Sequence, residues 1–544
     1  MTTSGAHSWL LAALLLVPLL GAVVVTALRG NDHTAKLAAL AFSVAEFVLA
    51  IVSWVNFQPG GDRLQQGFSL TWIPSFGVHI SFAVDGIALV MIAVIGLLVP
   101  LVIGAGWVDK LPEGRTKGGF FALILLEQAL TVGVFAATDV FLFYVLFEIM
   151  LIPMYFLIGS YGGARRQYAA VKFFLYSFLG GLIMLASVIG CYSMAVDELG
   201  AGTFDWAKLV QVVHDAPLST QIWLFFGFFI AFAVKAPLVP LHTWLPDATA
   251  EAPIGVAVLL VGILDKVGTF GFLRYLLPMF PDASKELAPL VLVLAVAGVV
   301  YGSLLATGQR DMKRFLAYVS IAHFGFIALG IFSFSSQSLT GSVTYMVNHS
   351  IATGMLILVV GMVIARGGGS TRVADYGGMA KLTPLLGGVL LIAGLSTLSL
   401  PGTNSFVSEF LVLIGSFPNA PVYTTIATVG MIFAALYVLW LYQRIMQGPL
   451  RGDALLPGVP SAETPGTDGS GAVLTAQAAT GTKKIVDLDT REKLVLAPLI
   501  LLVVGLGLYP KPVLDTVTPT VDATMCQAAL VDPVQPAERQ VQCR

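Results

Sequence analysis

Charge is what this sequence has least of. Only 11% of its 544 residues are Asp, Glu, Lys or Arg, whereas 57% are hydrophobic and the mean hydropathy is +0.87. A soluble domain carries about a quarter charged residues and has no way to hide so much apolar surface. Cysteine is scarce as well. Cys191 lies in an apolar run, and Cys526 and Cys543 lie in the C-terminal tail, so no cluster has the spacing of a zinc, haem or iron–sulfur site and redox chemistry in this chain is not expected. The formal net charge of −2 gives nucleic acid no reason to bind. No Lys or Arg precedes the first apolar run, whose first basic neighbour is Arg29. That is unlike a cleaved signal peptide and predicts a retained helix.

What the chain has instead is a series of apolar runs, each roughly 20 residues long and able to cross a hydrocarbon core of about 30 Å. About fourteen recur from end to end, so the expected fold is an all-α integral membrane protein. The loops support this. Of the 29 Lys and Arg, 20 fall in loops on one side, 7 on the other, and the last two, Lys235 and Lys266, fall inside spans. The richer side is expected to be cytoplasmic, which puts both termini outside.

Two runs carry backbone breakers in their middle. The seventh is interrupted at Lys235-Ala236-Pro237-Leu238-Val239-Pro240 and the twelfth at Ser399-Leu400-Pro401-Gly402-Thr403-Asn404. Unsatisfied backbone groups at membrane depth cost several kcal/mol, so such breaks survive only where protein or a water-filled cavity surrounds them. Five spans separate the two breaks. An odd offset predicts a repeated unit with inverted topology, as in many transporters. The expected organisation is three N-terminal helices in 1–118, a first five-helix repeat in 119–277, an inverted second repeat in 288–445, a flexible cytoplasmic loop in 446–493, and a last helix with an outer tail in 494–544. Gly367-Gly368-Gly369-Ser370 lacks the strand-to-helix context of a phosphate cradle and reads as a connector. Asn348-His349-Ser350 matches a glycosylation pattern but lies inside a span, out of reach of a glycan.

The charges inside spans are Glu148, Lys235, Asp265, Lys266 and Glu409, joined by His323 and His349. Each ionised group there costs roughly 2.5 to 3.5 kcal/mol even on lenient insertion scales, so they must face one another or water. A buried lysine changes its charge state readily, and a carboxylate that approaches or recedes can drive the change. Histidine relays protons near neutral pH without moving far. These groups therefore predict proton transfer, with Glu148 acting on Lys235 and with His323 and His349 as steps between Lys266 and Glu409. The competing reading makes them contacts between helices of an inert anchor. Glu46, Glu127, Asp85 and Asp139 lie nearer span ends or on peripheral spans, where solvent or a helix N-terminus can satisfy them. His242, beside the first break, is an accessory candidate for proton entry.

At these residues the chain resembles the antiporter-like subunits of respiratory complex I, which are related to subunits of multisubunit sodium/proton antiporters and membrane-bound hydrogenases. The resemblance covers about residues 80 to 445. It rests on Asp139-Val140-Phe141-Leu142-Phe143-Tyr144-Val145-Leu146-Phe147-Glu148, on Lys235-Ala236-Pro237 with Leu241-His242-Thr243-Trp244-Leu245-Pro246-Asp247-Ala248, and on Lys313-Arg314-Phe315-Leu316-Ala317-Tyr318-Val319-Ser320-Ile321-Ala322-His323. Glu409 at the twelfth-span position resembles the M type within that family. The resemblance implies a proton-translocating subunit in a bacterial inner membrane beside L-type and N-type neighbours, with NADH, FMN, iron–sulfur clusters and quinone handled by other subunits and no cofactor here. It also implies roles: Glu148 and Lys235 as the coupling pair, Lys266, His323 and His349 on a central hydrophilic axis, and Glu409 as the terminal exchange residue. Asp265 departs from the pattern, which has an apolar residue before the eighth-span lysine. Cys526 and Cys543, on the outer side by the charge count, are expected to form a disulfide.

Overall fold

A computed structural model describes residues 3–4, 7–455, 485–530 and 532. Twelve of its helices are long and apolar enough to cross a membrane. A bent pair, Thr490–Leu508 and Lys511–Gln527, makes a thirteenth if taken as one span, with a 68° bend. The expected count of about fourteen is therefore not reached by length alone. The shortfall has two causes. The twelfth run is divided into the shorter helices Pro384–Thr397 and Asn404–Ser416, and the last is turned by Pro510 and Pro512, which end one helix and start the next. Of the expected loop 446–493, residues 456–484 lie outside the described residues, as do residues 533–544 of the tail.

Helices differ in how far they are enclosed. Ile254–Met279, Met312–Phe332 and Ser336–Arg366 are 100%, 94% and 94% buried over their apolar windows, against 28% for Asp32–Asn56. The three interior helices carry Lys266, His323 and His349. Polar side chains thus sit where protein, and not lipid, surrounds them.

Alongside the helices there is a three-stranded antiparallel sheet, unforeseen in the sequence, in which Gln65–Ile73 pairs with both Thr3–Ser4 and Val78–Val84. Gly77 makes its turn with φ 63°, and a Cβ there would lie 2.5 Å from the Gly202 carbonyl oxygen. At the open end of this hairpin, where Gln65 pairs with Val84, is an ion cluster. Arg274 Nη2 lies 2.6 Å from Asp85, Arg63 Nε lies 3.8 Å from the same carboxylate, and Arg63 also donates to Thr524 at 2.9 Å. Arg274, counted above among the loop charges, is in fact 1% exposed within the Lys266 helix. Its pairing with Asp85 is what makes that burial tolerable.

Candidate proton path

Both broken helices stop where their prolines put the break. The helix Leu218–Lys235 ends on the lysine itself and the chain is helical again from Trp244. The freed backbone groups are met by protein: Trp244 Nε1 donates to the Val234 carbonyl at 2.9 Å, and the Leu238 amide to the Ala233 carbonyl at 2.9 Å. The second break runs from Thr397 to Asn404. There Asn348 Nδ2 donates to the Asn404 carbonyl at 2.7 Å, and Ser396 donates to Asn404 Oδ1 at 2.8 Å. Asn348, the discarded glycosylation match, thus locks the break to the His349 helix.

Lys235 is fully buried, and its Nζ has no hydrogen-bond partner. It sits 5.1 Å from the Phe147 ring centre and 5.6 Å from that of Phe173. Both oxygens of Glu148 are likewise unpartnered. No hydrogen bond joins the two residues. Glu148 is pressed against Gly181, where a Cβ would come within 1.5 Å of Oε1. A carboxylate held near a lysine but apart from it leaves room for the pair to close or open.

The Lys266 helix is not a regular α-helix. It takes a π turn at Leu260–Leu264 and another at Phe272–Leu276, on either side of the α turn Lys266–Gly271. Lys266 Nζ donates back to the Val261 carbonyl and meets His349 Nδ1 at 2.6 Å. Ser350 Oγ donates to the Gly262 carbonyl, so side chains from two helices satisfy carbonyls of the π stretch. The His349 and His323 rings are 5.1 Å apart, and His323 lies 5.8 Å from the Tyr345 ring. Tyr345 then donates to Glu409 Oε2 at 3.2 Å. Ser399 donates to the same oxygen from inside the second break. It does so from a left-handed backbone, φ 60°, that a non-glycine residue adopts only under constraint.

Six sequence-derived residues thus fall into two groups: half-buried Glu148 with buried Lys235 at the first break, and buried Lys266, His349, His323 and Glu409 leading to the second. Sequence reasoning missed Tyr345 and Ser399, whose hydroxyls give no signal in a hydropathy profile. Asp139 is a helix cap, accepting from the Phe141 and Leu142 amides at 3.0 and 2.9 Å and from the His79 amide at 2.9 Å. Asp85 likewise accepts from the Ala88 amide at 2.8 Å. His242 is 4% exposed beside the first break, with its Nδ1 unpartnered and its ring 5.0 Å from that of Tyr301. Glu127 corrects the sequence reading. It lies in the middle of helix Lys117–Ala136 and is 4% exposed, so neither solvent nor a helix end satisfies it. Glu46 is fully buried and accepts from Gln128 Nε2 at 2.7 Å. Among the described residues no group of His, Cys, Asp and Glu is arranged to hold a metal ion.

A membrane helix bundle with two interrupted spans and a line of buried ionisable groups between them defines a class of ion-moving protein, and comparison with known proteins gives its family. The family described as NADH:quinone oxidoreductase/Mrp antiporter, TM matches residues 137–436, and the chain belongs to that family. Within it, the chain is 42% identical to NADH-quinone oxidoreductase subunit M of Mycobacterium tuberculosis (strain H37Rv), over 96% of this chain and 95% of that protein. It is 35% identical to NADH-ubiquinone oxidoreductase chain 4 of Arabidopsis thaliana, over 93% and 94%. A chain of respiratory complex I from Thermus thermophilus with bound NADH superposes with a TM-score of 0.81 at 28% identity, covering 95% of this chain and 99% of that one. A chain of the Mrp complex from Dietzia sp. DQ12-45-1b has a TM-score of 0.80 at 22% identity, covering 97% and 98%, and shares the fold.

Proposed function

We propose that the chain is the M-type proton-translocating membrane subunit of a bacterial NADH:quinone oxidoreductase, moving protons while other subunits oxidise NADH and reduce quinone. The observation that carries this is the row of ionisable groups inside the bundle, Glu148 and Lys235 at the first break and Lys266, His349, His323 and Glu409 leading to the second. Its relatives above 35% identity over nine-tenths of the chain carry complex I names, which favours this reading over a cation/proton antiporter or a membrane-bound hydrogenase. The protons are the substrate. NADH, FMN, iron–sulfur clusters and quinone would belong to other subunits, and the partners would be L-type and N-type neighbours in an inner membrane, with both termini of this chain outside. The halves 119–277 and 288–445 would act as inverted repeats, each contributing one broken helix. Proton transfer along the series needs each group to change charge in turn, with Glu148 gating Lys235 and Glu409 exchanging with the exterior. Changing Lys235 to Ala in the assembled complex tests this: NADH-driven proton transport should fall about tenfold or more. Wild-type transport would leave the buried charges as helix contacts only.

On the same reading, Cys526 is expected to pair with Cys543, which lies outside the described residues. Closing a loop of about 16 residues would restrain the unfolded tail by roughly 3 kcal/mol in the chain-entropy model. Thiol labelling with and without reductant checks it. Labelling at both positions only after reduction is expected, and labelling of both in unreduced protein would defeat the bridge.

A further inference from the structure

Asp265 is among the buried charges that the proton series leaves unused. Its side chain is 0% exposed, and neither carboxylate oxygen has a hydrogen-bond partner. The first π turn delivers it: its amide bonds back to the Leu260 carbonyl at 3.2 Å, five residues earlier. On the helix it shares a face with Gly268 and Phe272. That face abuts the first break. A Cβ on Gly268 would lie 2.5 Å from the Phe232 carbonyl oxygen and 2.6 Å from the Ala236 nitrogen, and the Phe272 ring is 6.0 Å from that of Phe232. Lys266, about 100° further round the helix, reaches the other way, to Val261 and His349. Asp265 is therefore on the side of its helix that meets the first break, where the helix Leu218–Lys235 ends. Ala236, which meets that face at Gly268, directly follows Lys235, and Lys266 directly follows Asp265.

We propose that Asp265 is a proton-relay carboxylate joining Lys235 to Lys266. The step balances without any co-reactant. An N–H bond of the Lys235 ammonium breaks as an O–H bond forms on the Asp265 carboxylate. The neutral acid then gives that proton to a neutral Lys266 amine and returns to its anionic form. A protonated carboxyl carries one O–H, so Asp265 holds one transferred proton at a time. Transfer is thereby made sequential, and the charge crosses from the first broken helix to the histidine axis in two moves.

This inference rests on the proton-carrying reading above, and its test keeps the two apart. Asp265→Asn and Asp265→Glu are made in the whole complex, with assembly monitored by NADH oxidation with an artificial acceptor. Lys235→Ala is measured in parallel. Asp265→Asn should lower NADH-driven proton transport about tenfold, and Asp265→Glu should restore most of it, which a packing role would not do, since asparagine is the closer isostere. If Asp265→Asn fails to assemble, Asp265→Leu is measured in its place and should show the same loss. Wild-type transport in the Asn or Leu variant, with Lys235→Ala inactive, would overturn the relay and leave the general reading standing. Equal failure of the Asn and Glu variants would also overturn it, and wild-type transport in every variant would overturn the general reading.

Discussion

Replacing Glu409 by glutamine should cut NADH-driven proton transport by about tenfold to a hundredfold while the complex still assembles. The side chain keeps its size and can still accept from Tyr345 and Ser399, both of which now bond Oε2, so the local packing survives. What disappears is the ability to gain and lose a proton at the end of the series. Alanine at the same position should be worse for assembly. It would leave the Tyr345 and Ser399 hydroxyls without their acceptor, at about 1 to 3 kcal/mol for each buried group. Transport in reconstituted vesicles, set beside NADH oxidation with an artificial acceptor, separates the two effects. Equal, near-wild-type transport in both variants would remove Glu409 from the path.

Gly181→Ala should lower coupled transport by about tenfold to a hundredfold, although it adds one methyl group on a helix that carries none of the proposed proton carriers. That methyl would stand 1.5 Å from Glu148 Oε1 and 2.6 Å from its Cδ. The atoms that must give way belong to the free end of a side chain, so the fold should tolerate the change within the roughly 1 to 3 kcal/mol typical of overpacking. Glu148 itself must move, and its action on Lys235 moves with it. A variant that assembles, oxidises NADH with an artificial acceptor and pumps poorly is the expected result. A variant that pumps normally would mean that the position of Glu148 does not matter.

The sequence was most readable where chemistry made a residue expensive. A lysine or glutamate in an apolar run must be explained, and Lys235, Lys266 and Glu409 were visible for that reason alone. The breaks were visible too, because Pro237, Pro240 and Pro401 cannot continue a helix. What stayed hidden depended on partners distant in sequence. Arg274 looked like a loop charge because nothing local signals its pairing with Asp85. Glu127 looked peripheral because hydropathy marks spans without saying which face meets the interior, and only packing turns it inward. The hairpin Gln65–Ile73 with Val78–Val84 is short and weakly patterned beside the long apolar runs. Ser399 was hidden for another reason: its left-handed backbone aims a hydroxyl at Glu409, and residue type alone does not announce it.

The most direct measurement of the central claim is the number of protons transported per NADH oxidised by complex carrying Lys235→Ala, reconstituted in sealed vesicles with a pH-sensitive dye. Lys235 is buried and lacks a hydrogen-bond partner, so alanine removes a proton carrier without breaking a hydrogen bond. If this chain moves protons through that lysine, NADH oxidation with an artificial acceptor should stay intact while quinone-coupled proton transport falls about tenfold or more. An assembled variant with the wild-type ratio and the wild-type rate would contradict the account.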